Sequence, residues 1–261
     1  MGLRLIPLKI RVLHPGDDLL EAVLEALKEG NLKLRDGDVL AVSSKAVSIA
    51  QKRLAKLEDV KPGDEALKLA SMYDLEPNFA EIVLREADRV LGGARGALLT
   101  LKDGTLTANA GVDQKNAPSG YAVLPPKDPA DFSRKIRVEV FKRTGKKVAV
   151  MIVDSRVTPL RMGTVGYALA VSGFKPVVDL RFKRDLFGRK VRITRHSVAD
   201  DLSSAAHVLM GETDERNAIV LIRDAPIDLV DEEFDSSMNI KPEECLFMAS
   251  FLKKLEEGKE G

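Results

Sequence analysis

Val148-Ala-Val-Met-Ile-Val153-Asp154-Ser155 is the stretch that decides how this chain folds. Its six consecutive apolar residues predict a strand covered on both faces. Asp154 then stands at the carboxyl end of that strand, where mixed sheets commonly place ligand-binding groups. A second acidic strand end occurs earlier, in Asn109-Ala-Gly-Val-Asp113-Gln-Lys-Asn116. Hard cations such as magnesium or manganese need oxygen ligands and usually share them with a phosphate. Two aspartates at strand ends therefore point to nucleotide chemistry more than to a closed metal cage. The competing reading is plain turn formation, for which Asp and Asn are ordinary residues.

Outward from this strand the chain reads as a mixed α and β pattern, of α+β class. Leu3 to Leu13 is extended and ends at His14-Pro15-Gly16. Asp17 or Asp18 then caps a helix to about Lys28, with Leu19, Leu20, Val23, Leu24 and Leu27 on one face and Gly30 as its stop. Asp38 to Ser43 is a short buried strand, followed by a helix from Lys45 to about Leu57 and two more over Gly63 to Tyr73 and Pro77 to Ala87. Asp103-Gly104, between Leu98 to Leu101 and Thr105 to Ala108, is the strongest hairpin signal. Tyr121 to Leu124 is extended, and a helix runs from about Ala130 to Arg143. After the central strand come strands at Tyr167 to Val171 and Val191 to Thr194, with Asp185 to Gly188 turning the chain between them. A helix over Asp200 to Met210, a strand over Ala218 to Ile222 and a final helix over Pro242 to Leu255 complete the pattern.

A chain of 261 residues can bury a substantial core. Its 41 basic and 40 acidic side chains nearly cancel, so the overall field favours neither nucleic acid nor an anionic membrane. The charged fraction of 31% with no tryptophan resembles proteins from hot environments. Cys245 is the lone cysteine and cannot form an internal disulfide, which points to the reducing cytoplasm. Met1 to Leu13 lacks the pattern of a signal peptide, and no stretch approaches 18 uninterrupted apolar residues, so no membrane span is expected.

Several chemistries lack their signatures. The chain has no P-loop and no dinucleotide fingerprint, and His14, His196 and His207 lack zinc-ligand spacing with the single cysteine. Ser43-Ser44-Lys45 has the residue types of a phosphate contact at a strand-to-helix junction, or equally of a helix cap.

Read in order, these pieces resemble one family. Ser43-Ser44-Lys45-Ala-Val-Ser, Asn109-Ala-Gly-Val-Asp113-x-x-Asn116, Asp154-Ser155 with Pro159-Leu-Arg161-Met-Gly163, Ser172-Gly173, Asp185-Leu-Phe-Gly188-Arg189 and Leu209-Met-Gly211-Glu212 together look like the coenzyme F-420-0:gamma-glutamyl ligase family, or CofE-like proteins. The similarity runs from about Leu3 to Asp224. It implies a two-subdomain mixed fold over residues 1–250, a helix end and frayed tail over 251–261, and an intertwined homodimer with the active site in its interface groove. It further implies a ligase that uses a purine nucleoside triphosphate, GTP in the archaeal members, to activate a small-molecule carboxylate as an acyl phosphate. The amine of L-glutamate then attacks, and two divalent ions, Mg2+ or Mn2+, bridge the phosphates.

Carried over by residue, Asp113 and Asp154 match the first metal ligands and are the catalytic candidates, with Ser155 and Glu212 completing the metal set. Asn116, Ser44, Lys45 and the segment Ile10, Arg11, Val12 and Leu13 match nucleotide contacts. The chain departs from the family at three places. Ile49 stands where a lysine is expected to meet the phosphates, leaving Lys45 or Lys52 to reach in instead. Val157-Thr158 replaces a Gly-Arg pair, and Thr213 to Asn217 replaces a glycine-rich loop, bringing in two acids. Two functional classes follow: a metal-dependent ligase, and a diverged relative that binds a metabolite or metal without turnover.

Overall fold

The computed structural model describes residues 2–232 and 238–257; the expected frayed tail at 258–261 lies outside the described residues. In chain order the elements are β1 (Arg4–Leu8), α1 (Leu19–Glu29), β2 (Val39–Ser43), α2 (Ser44–Ala50), β3 (Leu54–Lys56), α3 (Asp64–Tyr73), α4 (Pro77–Glu86), β4 (Arg89–Ala94), β5 (Ala97–Lys102) and β6 (Thr105–Ala108). There follow β7 (Tyr121–Val123), α5 (Pro129–Thr144), β8 (Ala149–Val157), β9 (Thr164–Ser172), β10 (Val177–Asp179), β11 (Arg195–Ser197), α6 (Val198–Met210), β12 (Ile219–Arg223) and α7 (Leu246–Glu257). The α+β class holds.

The main sheet has five strands in the order β1-β12-β2-β8-β9. β2 and β8 run parallel, with Val39 opposite Ala149 and Ser43 opposite Val153, while β1, β12 and β9 pair antiparallel to their neighbours. The apolar run of β8 is covered on both faces, as its composition requires. Val150 and Ile152 pack with α1, α2 and α5 through Leu20, Val23, Leu27, Val47, Ile136 and Val140. Ala149, Met151 and Val153 pack on the opposite face with Val198, Leu202, Ala206 and Met210 of α6.

A second core lies apart from this sheet. α3 and α4 pack beside the three-stranded sheet β4-β5-β6 and the β3-β7 pair, around Phe79, Ile82, Val83, Leu98 and Val112. The Asp103-Gly104 hairpin joins β5 to β6 in the expected register, with Lys102 opposite Thr105.

Capping chemistry explains α1. Asp18 accepts hydrogen bonds from the N–H groups of Leu20 and Glu21 at 2.9 and 3.2 Å, and Gly30 closes the helix. The expected helix from Lys45 to Leu57 instead ends at Ala50. Lys52 takes a positive φ of 58°, which reverses the chain and lets Leu54–Lys56 pair with β7. Arg53 holds the reversal by a two-pronged bond to Glu86 at 2.8 and 2.9 Å and a bond to the Pro125 carbonyl. The strand expected at Val191 to Thr194 forms at Arg195–Ser197, where it pairs with β10. The final helix is broken at Cys245, between a 3-10 turn over Pro242–Glu244 and α7.

β9 and α6 approach so closely that Gly166 has no room for a side chain. A Cβ there would lie 2.5 Å from the Ser203 carbonyl oxygen and 2.6 Å from the His207 Cβ. Gly166→Ala is expected to cost about 1–3 kcal/mol or more by overpacking a backbone contact that has no flexible end to give way. Chemical denaturation checks this, and an unchanged unfolding midpoint would contradict it.

Candidate functional site

One edge of the main sheet collects four chain segments. Because β2 and β8 are parallel, their carboxyl ends emerge together, and the antiparallel pairing brings the end of β1 and the start of β12 to the same edge. Residues 9–14, Ser44 with Lys45, Asp154 with Ser155, and the 211–217 loop therefore surround one space. Asp113 closes the opposite wall from its place beside β7, where it exchanges backbone hydrogen bonds with Val123 at 2.8 and 3.0 Å. The resulting cavity has a volume of about 1070 Å3. Every candidate carried over from the sequence lines it: Ile10, Arg11, Val12 and Leu13; Ser44 and Lys45; Asp113 and Asn116; Asp154 and Ser155; and Glu212.

Asp154 is held by several groups. The Ser155 N–H donates to its Oδ1 at 2.7 Å, and the buried Ser44 hydroxyl also bonds to it. Burial pushes the carboxyl up from 3.8 to about 6, against the opposing pull of these donors and the Lys45 ammonium. Ser43 occupies the N-cap position of α2 but does not cap it through its side chain. Ser43 makes no side-chain capping bond, and Ser44 faces the carboxylate.

Lys45 is the cation that reaches the Asp113 side of the cavity. Its ammonium lies 2.6 Å from Asp113 Oδ2 and 2.6 Å from the Lys115 carbonyl oxygen. The apolar side chain of Ile49 lines the wall without leaving the space uncharged, and Lys52 lies elsewhere, its stem against Gly16. Asp113 and Asp154 share the field of one ammonium, so the pair forms a place that takes positive charge. Among the described residues no three His, Cys, Asp or Glu side chains converge as a metal cluster.

Glu212 stands across the cavity in a separate network. Its Oε1 accepts from the Thr164 hydroxyl at 2.8 Å and lies 2.8 Å from His207 Nε2, while its Oε2 pairs with the Lys115 ammonium at 2.5 Å. Desolvation acts to raise its carboxyl, but donors from Lys115, Thr164 and His207 outweigh that and hold it at about 2. Asn116 donates to the Thr213 carbonyl at 2.6 Å, and the Ile10 N–H donates to the Arg216 carbonyl at 3.2 Å, so the loop is tied to two other walls. Of the two acids expected to repel phosphate, Asp214 lines the cavity. Glu215 folds back over Gly211 and accepts the Thr213 N–H at 2.8 Å.

Sequence reading missed Lys115, Thr164 and His207 as members of the site. Lys115 lies inside the quoted Asp113 to Asn116 motif and could have been found there; His207 and Thr164 meet Glu212 only through the packing of α6 on β9.

The family model for F420-0:gamma-glutamyl ligase matches residues 7–224. The chain belongs to that family. Among its relatives, the coenzyme F420:L-glutamate ligase of Methanothermobacter thermautotrophicus is 36% identical over 228 residues, 87% of this chain and 90% of that protein. The ligases of the same name from Methanopyrus kandleri and Archaeoglobus fulgidus are 37% and 34% identical, covering 84% and 81% of this chain and 84% and 83% of their own lengths. Every candidate position, from Ile10 to Glu212, falls within the matched span. No helix among the described residues is long and apolar enough to cross a membrane.

Proposed function

We propose that this family member is a GTP- and divalent-metal-dependent ligase that activates a small-molecule carboxylate as an acyl phosphate and joins it to the amine of L-glutamate. The observation that carries this reading is the meeting of Asp113, Asp154, Lys45, Asn116 and Glu212 around one cavity at the sheet edge. Family membership and the names of the relatives support the choice of glutamate as the amine.

Asp113 and Asp154 would hold a Mg2+ or Mn2+ ion, with Ser155 and Glu212 available to a second. Bound there, divalent ions would neutralise charge on the transferring phosphoryl group. Lys45 would pivot from Asp113 to the nucleotide phosphates as a point charge, and Ser44 would orient Asp154. Ile10 to Leu13 and Asn116 would frame the nucleotide. The chemistry requires no side chain to act as a covalent nucleophile. A cytoplasmic homodimer fits the single cysteine and the fully exposed Leu160, Met162 and Leu186, apolar side chains that a second copy could cover.

GTP with magnesium is expected to raise the melting temperature, by about 2.7 kcal/mol of added stability at a hundredfold excess over its dissociation constant. Asp113→Ala should remove most of the shift. Metal must also displace the Asp154 proton, so Mn2+ affinity is expected to rise about tenfold between pH 5 and pH 7, below and above the value of about 6. Calorimetric titration at the two pH values checks the second point. No stabilisation by millimolar GTP or ATP with metal would count against the ligase and favour a relative without turnover.

A further inference from the structure

Lys115 links the two acidic centres of the large cavity, which it lines. Its backbone is fixed at the first centre. There its N–H donates to Asp113 Oδ1 at 2.8 Å, and its carbonyl oxygen accepts from the Lys45 ammonium at 2.6 Å. Its own ammonium is seated at the second, 2.5 Å from Glu212 Oε2. Asn116 ties the same two walls through the Thr213 carbonyl at 2.6 Å. The backbone is thus anchored on both sides, while the four-carbon stem beyond it keeps its rotatable bonds.

The ammonium is within reach of a ligand. Its side chain is 48% exposed, and among the described residues Glu212 is its one hydrogen-bond acceptor, which leaves two of its three donors to solvent or ligand. Glu212 does not depend on the lysine for its position. The Thr164 hydroxyl and His207 Nε2 both meet Oε1 at 2.8 Å, so that oxygen stays fixed when Lys115 leaves and Oε2 is the one that opens.

We propose that Lys115 exchanges partners on nucleotide binding: its ammonium leaves Glu212 Oε2 for a terminal phosphate of the triphosphate, and so opens that oxygen to a divalent ion. This rests on the ligase reading above. The phosphates concerned are the terminal ones, because the carboxylates at both ends of the lysine are those assigned to ions on the transferring phosphoryl group. An ammonium withdrawn from a carboxylate needs another anion, and phosphate oxygens supply one in a charge-assisted bond. Metal and nucleotide are therefore coupled positively, since either alone leaves a charge in the cavity without its partner.

The test compares the full chain with Lys115→Met and Lys115→Arg by calorimetric titration of Mn2+ alone, of GTP with Mn2+ and of GMP with Mn2+, and by thermal midpoint. In the methionine variant Mn2+ alone is expected to bind at least about threefold tighter, because the competing occupant of Glu212 is gone. GTP with Mn2+ is expected to bind at least about tenfold more weakly. GMP, which lacks the terminal phosphates, should be nearly unaffected. Arginine keeps a cation in place and should retain most of the GTP affinity. Should the methionine variant fail to fold, Lys115→Gln takes the same readings. A lysine that merely braces the two loops would not move the two affinities in opposite directions. The proposal is overturned by Mn2+ and GTP affinities that fall together, or by an equal loss for GTP and GMP. A wild-type chain that binds no GTP with Mn2+ overturns it together with the ligase reading. GTP affinity that depends on Lys115 without any glutamate-containing product would sink the ligase reading alone. Unchanged turnover and GTP affinity in the methionine variant would sink this inference alone.

Discussion

Asp154→Asn is expected to lower ligase turnover by at least about 100-fold, more than the loss typical of groups that merely support a metal ligand. The same variant should be at least as stable as the parent at pH 7. The folded protein raises the Asp154 carboxyl from 3.8 to about 6, chiefly by burial. Between those values the folded state holds a proton that the unfolded chain has released, so this group takes stability away as pH rises from about 4 to about 6. Above pH 6 the whole cost is present, and an amide, which carries no charge, does not incur it. Thermal midpoints at pH 5 and pH 7 check the sign: the advantage of the variant over the metal-free parent should be larger at pH 7. A variant that loses activity and stability together at pH 7 would instead mark Asp154 as a structural group.

Asp38→Ala is expected to cost about 3–5 kcal/mol in denaturant unfolding, because it strands a buried guanidinium. Arg223 reaches Asp38 through Nε and Nη2 at 2.9 and 2.8 Å, and the two side chains are only 7% and 2% exposed. The Lys33 carbonyl accepts a further bond from Arg223, and the Arg35 N–H donates to Asp38, so the pair ties the entry of β2 to the exit of β12. Replacing both residues by apolar ones of similar size should cost less than the single change, since no charge is then left unpaired. Equal losses in the single and double variants would contradict that explanation.

The contrast between these two sites indicates what a sequence can disclose. Asp154 was legible because a continuous apolar run announces a strand buried on both faces, and the residue at its end has a special position. Asp113 and Asn116 were legible through the order of motifs. The partner of Asp38 was not, because it lies 185 residues away and nothing local marks the pairing. The early end of α2 escaped for a similar reason: the reversal at Lys52 depends on β3 finding β7 and Arg53 finding Glu86, both tertiary events. Within the site, Lys45 could be named but not aimed. Its position next to the junction was evident, whereas its bond to Asp113 across 68 residues required the fold. The same holds for His207, which nothing local marks as a site residue: Gly166 lets α6 settle against β9 and bring it to Glu212.

The most direct measurement of the central claim is a turnover assay with GTP, magnesium or manganese, L-glutamate and a panel of small carboxylates, including the F420-0 of the family's name. It should follow GDP and phosphate release together with the mass of the product. The expected result is one amide product gained per GTP consumed, abolished by Asp154→Asn. Nucleotide and metal that bind without any glutamate-containing product, across acceptors and with either metal, would contradict the assignment of this chain as a ligase.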